Sequence, residues 1–403
     1  MTNFRPLSLG LTYPWRYLEH YGDAIIWRAR DTEEIWVGIG SAFESQNPEE
    51  CLAVCAETDA RELPFAPRCF GALAFDPERP MDGEWSLFST RRFWIPAIQI
   101  RWTGEQAAAI VSGSGTVQLL PDISFADGLV GFDAKVRFTE QAWEAAVNYV
   151  RSQIAQGQLR KAVLARRYEI ATDREKQPAR VLKRLHQQFP NCYLIGYRQN
   201  SSDMFFSITP ERLFRIAAGV IDVDSLAGTD KVTDEYLRQV AQTHYPLLDS
   251  EKDREEQQIV TDFIQERLNL LCEEVYASGE PRIRNFGNIV HLYTNLGGRL
   301  KTPVPLSRIL ETLHPTSAVC GEPTAIAREL IAGLEPEMRG LYAGVIGMYT
   351  ADQAEFAVTI RSGLVHSDSY SLYVGAGIVR ASDAEAESRE CLAKMTETLR
   401  VIL

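Results

Sequence analysis

Residues 341–380, LYAGVIGMYTADQAEFAVTIRSGLVHSDSYSLYVGAGIVR, carry the pattern that decides the fold. Apolar and β-branched residues fill Tyr342–Tyr349 and again Phe356–Leu364, with Asp352 in a polar turn between them. That is the signature of two paired antiparallel strands. Leu372–Arg380 predicts a further strand, and Ser382 with Glu385 has the spacing of a capping box opening the last helix.

Upstream, hairpins and helices continue to mix. Thr139 is placed to cap a helix with Trp143, Val147, Val150 and Ile154 on one stripe, ended by Gly157. Lys161–Ile170 (KAVLARRYEI) reads as a strand, followed by a helix near 178–189 and a strand at 192–198. Phe214–Asp224 reads as a hairpin turning at Ala218-Gly219. Glu251–Leu271 predicts a long helix with Ile259, Val260, Phe263, Ile264 and Leu268 on its apolar face. Before about residue 130 the chain shifts to aromatic-rich segments broken by Pro and Gly, such as Arg68–Pro80 and Arg91–Ile100, read as short strands. Recurrent hairpins without strict β-α-β alternation indicate an α+β fold with largely antiparallel sheets covered by helices. No GxGxxG follows a strand and there is no Walker loop; Gly375-Ala376-Gly377 lacks the third glycine of a dinucleotide site.

Composition narrows the function. The 403 residues include 42 basic and 54 acidic side chains, a formal charge of −12, which argues against nucleic-acid and anionic-membrane partners. Apolar runs such as Ala107–Val111 are too short to span a bilayer. The opening MTNFRPLSLG lacks the apolar core of a secretory signal. Seven cysteines without a CxxC pair fit reduced thiols in the cytoplasm better than a zinc site or disulfide framework.

Several segments match a known family in a common order. They are GALAFDP (71–77), KAVLAR (161–166), TPERLFR (209–215), LAGT (226–229), EKDREE (251–256) and HLYTNLGG (291–298). LHPTSAVCGEP (313–323), RGLYAGVIG (339–347), IRSG (360–363), YVGAGIV (373–379) and SDAEAESRE (382–390) follow. From about residue 65 onward the chain resembles the chorismate-utilising enzymes and, among them, the isochorismate synthases, which serve menaquinone or siderophore biosynthesis. The resemblance implies two largely antiparallel sheets packed as a sandwich with flanking helices. An N-terminal lobe (1–130) would complete the sheets of a catalytic region (131–403), with chorismate in a cleft between them.

The implied reaction is Mg²⁺-dependent. Water adds to the ring carbon beside the carboxylate-bearing one, the double bonds shift and the allylic hydroxyl leaves, which needs a base, an acid and a cationic anchor. Lys161 matches the family's general base. By pattern alone it would be an idle lysine at a strand start. To be partly neutral its amine needs burial or a nearby cation, with Arg166 and Arg167 as candidates. Glu211 matches the general acid, although Thr-Pro-Glu is also a common helix start. Glu256 and Glu390 match two metal-binding carboxylates, with Glu387 as a further candidate and Glu255 the alternative if the register slips. Arg361 and Lys394 match positions that hold substrate carboxylates. Gly228, Thr229, His291, Ala318, Tyr342, Gly375 and Gly377 fall at other substrate-binding positions, and His291 could instead be a satisfied core histidine.

Two residues discriminate within the family. Ammonia-installing relatives usually carry Gln at the Lys161 position, and aminodeoxychorismate-forming relatives place a nucleophilic lysine where this chain has Ala227. Both argue for water as nucleophile and against an obligate glutaminase subunit. The expected partner is chorismate, on a monomer or weak homodimer. The competing readings are a salicylate synthase, which would eliminate pyruvate from isochorismate in the same pocket, and a non-catalytic chorismate-binding module.

Overall fold

The computed structural model describes residues 4–7, 13–104, 106–113, 116, 133–171, 177–232, 236, 245–286, 289–366 and 369–403. Among these residues the strands form two antiparallel sheets, one of 12 strands and one of 10, flanked by helices. In the larger sheet Lys161–Ala171 pairs with Ser369–Ile378, Val163 opposite Gly377 and Ala165 opposite Gly375. In the smaller, Val220–Lys231 pairs with Ile289–Leu300. Aromatic rings join the sheets. Trp94 of the smaller stacks on Tyr197 of the larger with centroids 5.5 Å apart. The Tyr193 hydroxyl of the larger donates to Glu355 of the smaller at 2.6 Å. Both rings lie in one continuous apolar core, where each large side chain contributes roughly 1.5–3 kcal/mol by leaving water.

Early strands join both sheets: Ala24–Arg28 pairs with Tyr193–Arg198, and Cys69–Leu73 with Val345–Tyr349. The hairpin at Ala218-Gly219 forms as expected, both residues having positive φ (51° and 75°) as a type I′ turn requires. The Thr139-capped helix spans Glu140–Ala155 and the long helix Glu251–Leu271. No described helix is long and apolar enough to cross a membrane.

Three local expectations are corrected. Phe356–Leu364 is not one strand: Gln353–Val358 belongs to the smaller sheet and Ser362–Val365 to the larger. The bend at Thr359–Arg361, with Arg361 at φ 47°, carries no Gly or Pro, so the apolar pattern runs through it unbroken. Tyr342–Gly344 is likewise a turn, and the strand begins at Val345. The last helix, Ala384–Ile402, is capped by Asp383, whose carboxylate accepts from Ala386 N at 2.9 Å; Ser382 instead accepts from Val379 N at 3.1 Å. The helix starts one residue later than the capping-box spacing suggests, with an equally good cap.

Candidate active site

The site is built where the chain passes from one sheet to the other. Met204–Thr209 lies in the larger sheet and Arg212–Ala217 in the smaller, and Pro210-Glu211 is the link. Thr359–Arg361 makes the reverse crossing. The two links are bonded together: Val358 N donates to Glu211 O at 3.0 Å, and Ile208 N to Arg361 O at 3.2 Å. A residue at such a crossing leaves the alternation of either sheet, which frees its side chain to serve a cavity. Glu211 and Arg361 both line one cleft, whose non-protein space, counted out to open solvent, is roughly 770 Å³.

Glu211 is buried. Burial, reinforced by the Asp224 carboxylate and only partly opposed by the Lys161 ammonium, pushes its carboxyl up to about 8. It is therefore largely protonated at neutral pH, a proton donor in a dry wall. Asp224 itself is held by two cations, Arg30, and Arg212 at 2.9 Å.

Lys161 opens its strand but is fully buried. Its Nζ lies 2.9 Å from Glu256 Oε1, on the helix packed across the sheet. Gly377, across the ladder, leaves room for both: a Cβ there would lie 2.9 Å from Lys161 Cε and 2.2 Å from Glu256 Oε1. Glu256 and Gly377 line the cavity, and Lys161 stands directly behind them. Neither arginine expected beside this amine is there. Arg166 is engaged by Phe138 O, Glu140 and Ser388, and Arg167 by Glu84, Glu169 and Glu337. Arg166 is offset by an odd number of residues along the strand and so faces away; Arg167 lies too far along it. Glu255 is exposed, so Glu256 is the inward carboxylate.

The last helix brings Glu390 and Lys394 to the cavity, 2.6 Å apart. Burial would raise the Glu390 carboxyl, but the ammonium groups of Lys394, Lys252 and Lys161 hold it below its ordinary value. Glu387 does not line the cavity. It is buried and paired with Lys252 at 2.5 Å. Glu256 and Glu390 are hard oxygen donors from two helices facing one cavity, and Mg²⁺ is commonly held by one or two carboxylates with water and substrate oxygens completing its shell. The donor set fits that ion.

His291 fixes the arginine. Its Nδ1 lies 2.9 Å from Gly228 O and 3.3 Å from Thr229 Oγ1, and its Nε2 lies 2.9 Å from Arg361 Nη2. Burial and the Arg361 charge hold the ring down at about 3, so it is neutral. Since Gly228 O only accepts, Nδ1 carries the proton and Nε2 accepts from Arg361. Among the described residues Arg361 Nη1 is buried without a hydrogen-bond partner, a donor left available to an anion. Gly228 sits at φ 66° in the bulge between Ala227 and Asp230, where a Cβ would come within 2.9 Å of Asp253.

Thr229, Ala318, Tyr342, Gly375 and Ala227 also line the cavity. Tyr342 stacks on Tyr373 (5.5 Å, 20°), and its hydroxyl would lie 2.7 Å from a Cβ on Gly375. The Gly375 carbonyl accepts from Lys394 Nζ at 3.0 Å. The described lining runs from Val163 to Lys394, so the cleft lies inside the 131–403 segment rather than between it and the first 130 residues. The N-terminal strands sit within the sheets, and Arg30, just after the strand Ala24–Arg28, donates to the Pro210 carbonyl of the first crossing at 2.7 Å. Sequence reasoning passed over Lys252, which stands inside the quoted EKDREE segment; its charge among acidic neighbours was the available signal.

The family described as chorismate binding enzyme matches residues 129–403. The chain belongs to this family. It is 32% identical to isochorismate synthase MenF of Bacillus subtilis over 94% of this chain and 87% of that protein. It is 28% identical to isochorismate synthase EntC of Escherichia coli over 90% and 88% respectively. Within the family it stands among the isochorismate synthases. The solved structure of MenF, the menaquinone-specific isochorismate synthase from Escherichia coli, shares the fold with TM-score 0.82 at 24% identity, covering 99% of this chain and 94% of that one.

Proposed function

We propose that this chain converts chorismate to isochorismate, with Lys161 as base and Glu211 as acid. In its neutral form, having lost the proton of the ammonium that pairs with Glu256, the Lys161 amine takes a proton from water as the water oxygen bonds to C2 of the ring. The ring double bonds shift, the C4–O bond breaks, and Glu211 gives its proton to the departing hydroxyl, which leaves as water. Return of a proton from Lys161 to Glu211 through solvent resets the pair. Arg361, positioned by His291, and Lys394 orient the substrate carboxylates; Gly228, Thr229, Ala318, Tyr342, Gly375 and Gly377 shape the ring's seat. Mg²⁺ held by Glu256 and Glu390 would bind the ring carboxylate and neutralise its charge.

The observation that carries this reading is Glu211, a buried carboxyl pushed up to about 8 on the wall of the cavity that Arg361 lines. An anion seat beside a proton donor suits loss of a hydroxyl from an anionic ring. Ala227 offers no amine to attack that ring. We also propose that residues 1–130 act by completing the sheets and that the enzyme works in the cytoplasm without a glutaminase subunit.

Chorismate and Mg²⁺ with the purified chain in H₂¹⁸O test the proposal. The expected product is isochorismate carrying one ¹⁸O at C2. Fluorescent salicylate with pyruvate would make the chain a salicylate synthase. Chorismate bound but unchanged would make it a binding module.

A further inference from the structure

Two cysteines touch far from the cavity. The Cys55 and Cys69 sulfurs lie 3.4 Å apart, within reach of an S–H···S hydrogen bond. Cys55 stands in the last turn of the helix Pro48–Ala56 and Cys69 opens the strand Cys69–Leu73, so the contact joins two elements connected by residues 56–68. Among the described residues Cys55 is the one cysteine that is not buried, whereas Cys69 is fully covered. Cys51, one turn earlier on the helix, is covered as well and bonded to the Tyr349 side chain. None of these residues lines the cavity, and the reaction proposed above does not use them.

A thiol reacts as its thiolate and only where a reagent can reach it. The pair divides these requirements from the supply of a second thiol. The Cys69 S–H donates to the Cys55 sulfur, which holds the Cys55 thiol below its ordinary range. That same bond, with burial, pushes Cys69 up, and burial pushes Cys51 up to about 11. One sulfur is reachable and readily ionised. The other is covered and keeps a proton beside it.

We propose that Cys55 and Cys69 form a dithiol that reacts with hydroperoxides, Cys55 as the attacking sulfur and Cys69 as the resolving one, to give a reversible disulfide between helix and strand. The Cys55 thiolate attacks one peroxide oxygen. The S–O bond forms, the O–O bond breaks, and the departing alkoxide (hydroxide from hydrogen peroxide) takes a proton from solvent. Cys55 is oxidised to a sulfenic acid and the peroxide is reduced. The Cys69 sulfur then attacks the Cys55 sulfur. The S–S bond forms, the S–O bond breaks, and the hydroxyl leaves as water with the Cys69 proton. In sum, two thiols and one hydroperoxide give one disulfide, one alcohol (or water, from hydrogen peroxide) and one water. A resolving thiol already in contact spares Cys55 the further step to sulfinic acid, which thiols do not reverse.

The test uses the full chain, reduced, freed of reductant and treated with hydrogen peroxide. Samples are quenched at intervals with N-ethylmaleimide in urea and digested with trypsin, which cuts between the two cysteines after Arg61 and Arg68. Mass spectrometry should find Cys55 joined to Cys69, formed at least roughly tenfold faster than the other thiols are lost, and dithiothreitol should restore both. Cys69→Ser should leave Cys55 as a sulfenic acid that dimedone captures and that passes to sulfinic acid on longer exposure. Cys55→Ser should slow the oxidation of Cys69 at least roughly tenfold. The proposal is overturned by a native chain in which Cys55 reaches sulfinic acid unbridged, or Cys69 pairs with Cys51 instead. Loss of Cys55 and Cys69 no faster than the remaining thiols overturns it too. Each of these results is read on the native chain, so the test holds even if a variant fails to fold.

Discussion

Lys161 Nζ and Glu256 Oε1 lie 2.9 Å apart across the backbone of Gly377, so the proposed base and a proposed metal ligand share one small space. Adding a methyl group there tests how tightly the arrangement is set. Gly377→Ala would place Cβ 2.2 Å from Glu256 Oε1. The end of a glutamate side chain can swing, so the fold should survive by circular dichroism. Isochorismate formation should fall by at least ~10²-fold, a lower bound set by the usual contribution of a positioned acid or base. Turnover within a few-fold of native would show that the contact is dispensable.

Lys161→Ala and Glu211→Gln should each lower kcat by at least ~10²-fold with the fold intact, because positioned bases and acids typically contribute ~10²–10⁴. Steady-state rates of isochorismate formation check this. Near-native turnover in either variant removes that residue from its role.

The Glu211 carboxyl also makes stability depend on pH. Its value is about 8 in the folded chain against an ordinary 4.5. Between these values the folded state keeps a proton that the unfolded state releases, so stability declines as pH rises from about 4.5 to about 8. Glu211→Gln removes the penalty. It should unfold at a higher temperature than native at pH 8, by an amount equivalent to a few kcal/mol, and the two melting curves should converge near pH 4. An equal difference at both pH values would contradict this.

His291 acts through Arg361, the partner of its Nε2 at 2.9 Å. His291→Phe should raise KM for chorismate roughly tenfold, the equivalent of one hydrogen bond of about 1.4 kcal/mol, while kcat changes by less than about threefold. A large fall in kcat with KM unchanged would give the imidazole a part in the chemistry instead.

Much of the fold was legible in alternation, caps and turn residues. The Glu251–Leu271 helix, the Lys161 strand and the Ala218-Gly219 turn each carry their own local signal. The crossings did not, because Thr359–Arg361 passes between sheets with an apolar pattern that a single strand would share. The site was legible chiefly through resemblance. Lys161 looks exposed by sequence, and is buried because Gly377, diagonally across the ladder opposite Val163, leaves room for its side chain and a second layer covers it. The match of each glutamate to its own lysine depends on the distance between two helices far apart in the chain, which no local pattern encodes. Lys252 therefore emerged only from the packed structure.

The most direct test of the account is the protonation state of Glu211, read from the infrared carboxyl band in the difference between native and Glu211→Gln spectra across pH. The account gives a protonated carboxylic acid at pH 7 that ionises with a midpoint near 8. A carboxylate already ionised at pH 7, with a midpoint near 4.5, would leave no acid for the departing hydroxyl and contradict the mechanism.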